Sequence, residues 1–362
     1  MKTRTKWLVG VISFFLLTVL GIRIFQPQLG ERAYRNAVEK RAGLDRTEGL
    51  PDGLYVALCG TGSPLPNPNR AGPCNVVIAG KRMFLVDAGE GSARNIALMG
   101  LPVGRLDAAF ITHFHSDHID GLGPIMLMRW TGAAAKAPLP VYGPTGIERV
   151  IAGFDEAYAT DNGYRTAHHG PAIAPPGGAG AKAMPFALPD AGKGDSVIVY
   201  EGDGLRVTAI RVDHGPVKPA VGYRFDYRGR SVVFSGDTSK SEALIASAKG
   251  ADLLVHEALQ PKLVGLLTTA LDEKGIKNTA QITRDIINYH TTPEQAADSA
   301  REAGVKELVF NHIVPVIPSP FFYPVFLGDA PNHFKGRMSV GEDGMLFMLP
   351  VGSQKIEKKK LL

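Results

Sequence analysis

The chain has 362 residues, 44% hydrophobic and 21% charged, enough apolar content for one large domain or two ordinary ones and too much for a largely disordered protein. Its formal net charge of +5 is concentrated at the ends, on Lys2, Arg4 and Lys6 and on four lysines against Glu357 between 355 and 360, so the intervening body is close to neutral. That distribution argues against a broad basic surface that would bind nucleic acid through counter-ion release, and makes a nucleic-acid partner unexpected.

The N-terminus places three basic residues before an uninterrupted apolar run over 7–22, which reaches Phe25 if Arg23 is tolerated. Basic residues followed by an apolar stretch direct export or membrane insertion. No small-x-small cleavage site follows, so residues 1–25 are read as an uncleaved signal anchor rather than a removed signal peptide. The basic flank predicts an inner-membrane anchor with the body exported, in the periplasm, or secreted if the signal is cleaved. Residues 26–52 are mixed and charged and read as a short helical stalk or linker.

From Gly53 short apolar runs alternate with turns. Strands are expected over 54–58, 75–79 and 82–86, the last two joined by Gly80-Lys81 as a hairpin, and over 107–112. Helical spacing appears over 145–158, with Ile147, Val150, Ile151 and Phe154 on one face. Residues 161–195 are rich in Gly, Pro and Ala without periodicity and read as an inserted surface loop. Strands resume over 196–200 and 205–212, and a second hairpin spans 222–227 and 230–234. Strands at 252–255 and 308–310 frame a helix over 293–303, capped by Thr292 with Pro293 in its first turn. The pattern suits two sheets between helices, without a clean βαβ series, and the half starting near 196 echoes the first. The hydrolase-like body would span 53–350, followed by a basic tail at 351–362. Cys59 and Cys74 are too few for a disulfide framework and are read as two buried thiols, although one bridge would be open to them in an oxidising compartment.

The sharpest signal is Thr112-His113-Phe114-His115-Ser116-Asp117-His118. Imidazole and carboxylate are good zinc ligands. In an irregular loop after a strand, His113 and His115 can face one way while Asp117 and His118 face the other, so one short loop serves two metals. Distant partners would end on strands: His214 after 205–212, Asp237 after the glycine turn at Gly236, and His312 after 308–310.

With these residues the sequence resembles the metallo-β-lactamase-fold hydrolases. The resemblance spans roughly 54–349, and it is nearest to the branch holding tRNase Z, cyclic-nucleotide phosphodiesterases and some exported arylsulfatases. The matching stretches are Gly60-Thr61-Gly62, Val86 to Gly91, His113 to His118, His214, Ser235 to Thr238, His256-Glu257-Ala258, His290-Thr291-Thr292 and Asn311-His312. The resemblance implies an α+β, four-layer αββα sandwich behind an N-terminal hydrophobic anchor. It implies one zinc on His113, His115 and His214, a second on Asp117, His118 and His312, and Asp237 bridging them. Manganese or iron would suit the same donors. A metal-bridging hydroxide would be the nucleophile, oriented by Asp117. His290 would be the general acid, Glu257 the residue that orients it, and Asp87 the residue that orients a histidine ligand.

Three departures set the expected substrate. The segment after His312, Ile313-Val314-Pro315-Val316-Ile317-Pro318, lacks the Arg and aromatic residue typical of the tRNA-processing enzymes. Residues 161–195 carry only Arg165, Lys182 and Lys193 as basic groups. The N-terminal segment directs the body away from tRNA. A small phosphodiester or an aryl sulfate ester is therefore the expected substrate, with tRNA 3′-end processing as the alternative and a non-catalytic membrane-tethered binding protein as the second alternative. β-Lactam opening fits the His290–Glu257 pair poorly. Arg70, in the loop after Gly62, would meet an anionic substrate.

Overall fold

The side chains of each strand divide between two faces, and three large apolar clusters result, with a small fourth at Leu259, Val264 and Val314. In the computed structural model, which describes residues 2–190 and 192–362, the strands are β1 (Gly53–Gly60), β2 (Cys74–Ala79), β3 (Arg82–Val86), β4 (Leu106–Phe110), β5 (Leu139–Pro144), β6 (Ala181–Phe186), β7 (Ser196–Gly202), β8 (Leu205–Arg211), β9 (Val221–Tyr227), β10 (Arg230–Phe234), β11 (Leu253–Leu259), β12 (Glu307–Val314), β13 (Arg337–Val340), β14 (Met345–Pro350) and β15 (Glu357–Lys360). One sheet runs β15-β14-β1-β2-β3-β4-β5-β6 and the other β13-β12-β11-β10-β9-β8-β7. On β1, Leu54, Val56 and Leu58 face a core shared with Phe110, Tyr223, Phe225 and Phe234 of both sheets. Tyr55, Ala57 and Cys59, alternating with them, face a second cluster with Ile96, Leu122, Ile125 and Ile147 of the covering helices. On the far side, Val233, Leu254 and Leu308 pack against Leu244, Ala296, Ala297 and Ala300. Helix, sheet, sheet, helix is the four-layer αββα order expected, with three cores between four layers.

Each sheet begins antiparallel and turns parallel: β3 to β6 run parallel in the first, and β10 to β13 in the second. The echo between the halves is therefore topological. It also corrects the expectation of no βαβ series, since the helices Ser92–Leu98, Leu122–Ala133 and Ile147–His169 are crossovers between successive parallel strands. Leu122–Ala133 escapes periodicity because it carries apolar residues around most of its circumference, whereas Ile147–His169 contains the helix expected over 145–158, with Ile147 and Ile151 buried and Val150 and Phe154 packed beside them.

Three further expectations change. The loop expected at 161–195 is the end of that helix, a 3₁₀ turn at Pro176–Gly178 and edge strand β6, which tolerates Pro185 because an edge needs no full ladder. Ala191, in the same stretch, and Met1, in the expected anchor, lie outside the described residues. The tail at 351–362 contributes β15, paired antiparallel with β14, and its Ile356 is buried in the inter-sheet core. Cys59 and Cys74 form a disulfide: β1 and β2 pair so that Gly60 lies opposite Cys74, bringing both sulfurs together in the buried face. A helical pair, Pro261–Glu273 and Lys277–Asp285, fills the interval between β11 and the helix Pro293–Ala303.

The chain divides into two units, Met1–Asp45 and Arg46–Leu362. In the first, a single helix Lys2–Arg41 carries the apolar run and continues past Pro27 through the expected stalk. Its most apolar 18-residue window has a mean hydropathy of 2.4, so by length and composition it can cross a membrane.

Candidate active site

The site residues sit at or just beyond the carboxyl ends of strands from both sheets, where open αβ sheets place their ligands. β3 ends before Asp87, β4 before the His113–His118 loop, β8 before His214 and β10 before Asp237; Glu257 lies in β11 and His312 in β12. Gly236 makes the turn after β10 with φ of 60°. A Cβ there would lie 2.5 Å from the Val221 carbonyl oxygen and 3.1 Å from Thr112 Cβ, so glycine is required to swing Asp237 inward. Asp87 and His312 also adopt positive φ, 58° and 44°. Non-glycine residues held there cost about 1–3 kcal/mol each and cluster at functional sites.

The structure brings together all seven candidate ligands. Donor atoms of His113, His115, His214 and Asp237 lie within 4.8 Å of one another, as do those of Asp117, His118 and His312. Asp237 Oδ2 is the common point: it is 3.2 Å from His312 Nε2, 3.3 Å from His118 Nε2, 3.8 Å from His214 Nε2 and 3.9 Å from His113 Nε2. Two ligands bound at about 2.1 Å in a tetrahedral site stand about 3.4 Å apart, so these spacings suit one carboxylate shared between two ions.

Two further observations show that the donor set fits cations. Asp237 Oδ1 and His118 Nε2 are buried without a hydrogen-bond partner, which a folded protein rarely leaves unless something satisfies them. Burial pushes the imidazoles of His113, His115 and His214 down, toward the neutral form a ligand needs. Burial would also lower His118, but Asp237, Asp87 and Asp117 outweigh it and raise it well above the usual range. Three carboxylates around one buried ring are the crowding a divalent cation relieves.

The remote nitrogens of the rings are fixed from behind. His118 Nδ1 meets Asp87 Oδ2 at 2.9 Å, and Asp87 Oδ1 accepts from the Thr112 backbone N–H at 2.8 Å. His214 Nδ1 faces the Tyr289 carbonyl at 3.0 Å. Thr112 Oγ1 lies 3.2 Å from His113 Nδ1.

His290 lies beside this centre, one ring nitrogen within 4.8 Å of donor atoms of Asp237 and His312. Its Nδ1 is 3.0 Å from Glu257 Oε1, which also accepts from the backbone N–H groups of Thr238 and Thr291. Burial lowers the His290 pKa, yet the adjoining Glu257 carboxylate more than offsets it and brings the value to about 9. Arg70 lies in the loop between β1 and β2. Its guanidinium is bound by Thr61 Oγ1, the Gly341 carbonyl and Tyr323 Oη. The supporting contacts of Thr112, Thr238, Thr291 and the buried pair Asn75–Asn311 escaped the sequence reading. Nothing short of the fold marks them, because hydroxyl and amide residues next to a motif are common everywhere.

Comparison with known proteins agrees with this geometry. The beta-lactamase superfamily domain model matches residues 82–313. A ribonuclease Z from Mycobacterium bovis (strain BCG / Pasteur 1173P2) is 37% identical over 292 residues, 80% of this chain and 96% of that protein. The chain belongs to the ribonuclease Z family of the beta-lactamase superfamily. Among solved structures, the short form of human tRNase Z aligns with a TM-score of 0.58 at 23% identity, covering 82% of this chain and 99% of that one. The metallo-β-lactamase fold protein YhfI from Bacillus subtilis aligns with a TM-score of 0.58 at 21% identity, covering 82% and 100%. These two likenesses speak for the fold alone. Membership makes the chain a metal-dependent hydrolase acting on ester bonds, with divalent metal as its cofactor.

Proposed function

We propose that the chain hydrolyses phosphodiester bonds of RNA in the manner of its ribonuclease Z relatives, using two zinc ions. The observation that carries this reading is Asp237 Oδ2 within 4.0 Å of four imidazole nitrogens drawn from both donor groups, with the Glu257–His290 pair alongside. His113, His115 and His214 would hold one ion, Asp117, His118 and His312 the other, and Asp237 would join them. When bound, such ions lower the pKa of water toward neutrality and stabilise charge on a trigonal-bipyramidal phosphorane-like transition state.

The chain's own groups supply the rest. Asp117 orients the attacking water. His290, kept protonated by Glu257 on its Nδ1 side, delivers the proton on its other nitrogen to the leaving oxygen, a step worth about 10²–10⁴ in rate. Asp87 fixes the ring of His118. The expected preference for a small ester over RNA gives way here, because the named relatives favour RNA and nothing in the comparisons favours sulfur over phosphorus. The near-neutral body that argued against RNA also changes once the C-terminal lysines are seen to be part of the folded sheet.

A second reading, a small phosphodiester met outside the cytoplasm, is favoured by two observations: the N-terminal helix that can cross a membrane, and the Cys59–Cys74 disulfide, a bond that persists in oxidising compartments. The helix would anchor the body to the inner membrane in either case. Zinc-loaded protein offered precursor tRNA, bis(p-nitrophenyl) phosphate and p-nitrophenyl sulfate decides the matter. Cleavage of tRNA at its 3′ side is expected. Turnover of the small diester without the RNA would establish the second reading, and turnover of the sulfate alone would overturn both.

A further inference from the structure

The loop between β1 and β2 encloses a cavity of about 450 Å³ with the segment after His312, the β13–β14 turn and the end of β15. Its walls carry three cationic side chains, Arg70, Arg94 and Lys360, against two side-chain carboxylates, Glu342 and Asp343, with the terminal residue Leu362 beside them. Both carboxylates are engaged. Asp343 accepts from Thr61, from the Ala71 backbone N–H and from Asn95. Glu342 accepts from Tyr323 Oη at 2.9 Å and Lys360 Nζ at 2.9 Å. Tyr323 Oη in turn accepts from Arg70 at 3.0 Å, so a chain of contacts, Arg70–Tyr323–Glu342–Lys360, fixes the rim.

Arg70 is held by neutral oxygens only, and among the described residues no carboxylate lies within ion-pair distance of it. Arg94, from the helix Ser92–Leu98, extends over Gly91 and Ala71 and has no hydrogen-bond or ion-pair partner among the described residues. Two guanidiniums without a direct ion pair, beside a lysine shared with Glu342, can receive an anion: planar forks suit phosphate oxygens, and the ammonium adds a point charge. The loop that walls this cavity also packs on the loop of the metal-ligand candidates. A Cβ on Gly72, next to the lining residue Ala71, would stand 3.0 Å from the Asp117 carbonyl oxygen.

We propose that this cavity is a phosphate subsite for the RNA strand flanking the scissile bond, with the C-terminal edge strand β15 contributing Lys360 to it. The inference rests on the RNA reading given under Proposed function. Pairing of β15 with β14 sets Lys360 opposite Met345, just past the Asp343–Gly344 turn, and so turns a terminal run of lysines into part of a binding wall. A backbone phosphate entering there exchanges solvent for Arg94 and Lys360 while Arg70 is already oriented.

The test uses full-length, zinc-loaded protein and the variants Arg94→Gln, Lys360→Gln and Arg94→Lys. Melting temperature and metal content confirm the fold, and the exposed Lys360 carries the test by itself should Arg94→Gln fail to fold. For precursor tRNA, each Gln variant is expected to raise KM about 3- to 10-fold with kcat nearly unchanged. The slope of log kcat/KM against log salt should become shallower by about 0.7–0.9 per lost contact. Arg94→Lys should restore the slope. Wild-type KM and slope in both Gln variants, while the RNA is still cut, would overturn the subsite and leave the RNA reading intact. Failure of the wild-type protein to cut RNA while it turns over bis(p-nitrophenyl) phosphate would overturn the RNA reading, and the subsite with it.

Discussion

Asp87 is the residue whose replacement separates metal binding from folding most cleanly. Its Oδ2 meets His118 Nδ1 at 2.9 Å, its Oδ1 accepts from Thr112 N at 2.8 Å, and Thr112 Oγ1 lies 2.9–3.1 Å from both oxygens, all in a buried site. In Asp87→Asn, shape and backbone are preserved, because Asn adopts the positive φ of 58° as readily as Asp. The amide can offer its oxygen to His118 or to the Thr112 N–H, but not to both. Whichever way it turns, an NH₂ group faces a donor. One buried donor left unmet costs about 1–3 kcal/mol of stability. Loss of the carboxylate behind a ligand histidine typically costs about 10- to 100-fold in metal affinity, or about 1.4–2.7 kcal/mol. Asp87→Ala should be worse on both counts, since it loses every contact and places alanine in the left-handed region, a further cost of about 1–2 kcal/mol. Competition with a chelator of known affinity measures the first quantity. Thermal melts of zinc-depleted and zinc-loaded protein measure the second. A loss of stability in Asp87→Asn with wild-type metal affinity would show that Asp87 only caps the turn after β3, and the reasoning would fail.

Asp237→Ala removes the shared oxygen, so turnover should fall below detection and elemental analysis should show loss of metal relative to the two ions expected in wild type. His290→Ala should keep its metal and lose about 10²–10⁴ in kcat; loss of an ion on that substitution would make His290 a ligand and require a new role for His312. Gly236→Ala should destabilise the protein by about 2 kcal/mol or more, read as a lowered Tm, because the added methyl meets the Val221 carbonyl at 2.5 Å in a backbone conformation alanine avoids.

The legible part of this sequence was the part where chemistry is dense. Three histidines and an aspartate within six residues leave few structural readings, and the distant partners could be found because each follows an apolar run that ends at a turn. The structure brings His214, Asp237 and His312 to the same few ångströms as that loop. Periodicity failed where burial does not follow one face. The crossover helix Leu122–Ala133 is apolar around most of its circumference, and in Ile147–His169 the spacing is legible only over the first turns, where the helix buries Ile147 and Ile151. Long-range pairing was also out of reach. The register that sets Gly60 against Cys74, and so closes the disulfide, depends on β1 and β2 being neighbours. Likewise Glu357–Lys360 has the composition of a solvated tail, yet as the edge of an eight-stranded sheet it pairs through its backbone while its lysines stay outward, the usual protection of an edge.

That last case bears on function. Charge counted along the chain made the body neutral and its ends basic, and argued against RNA. Charge placed in the fold removes that objection. β15 lies against β14, β14 against β1, and β1 leads into the loop that carries Arg70, so the C-terminal lysines belong to the same sheet and the same end of the domain as the loop that borders the metal cluster. The segment after His312 lacks the arginine its relatives' branch leads one to expect, while Arg94 and Lys360 reach the neighbouring cavity from elements remote in sequence. A site can therefore keep its positive charge without keeping the residue that usually supplies it, because an anion responds to the position of a guanidinium in space and not to its position in the chain. By the same physics the missing motif weighs little against an RNA substrate, and the salt dependence of cleavage weighs heavily.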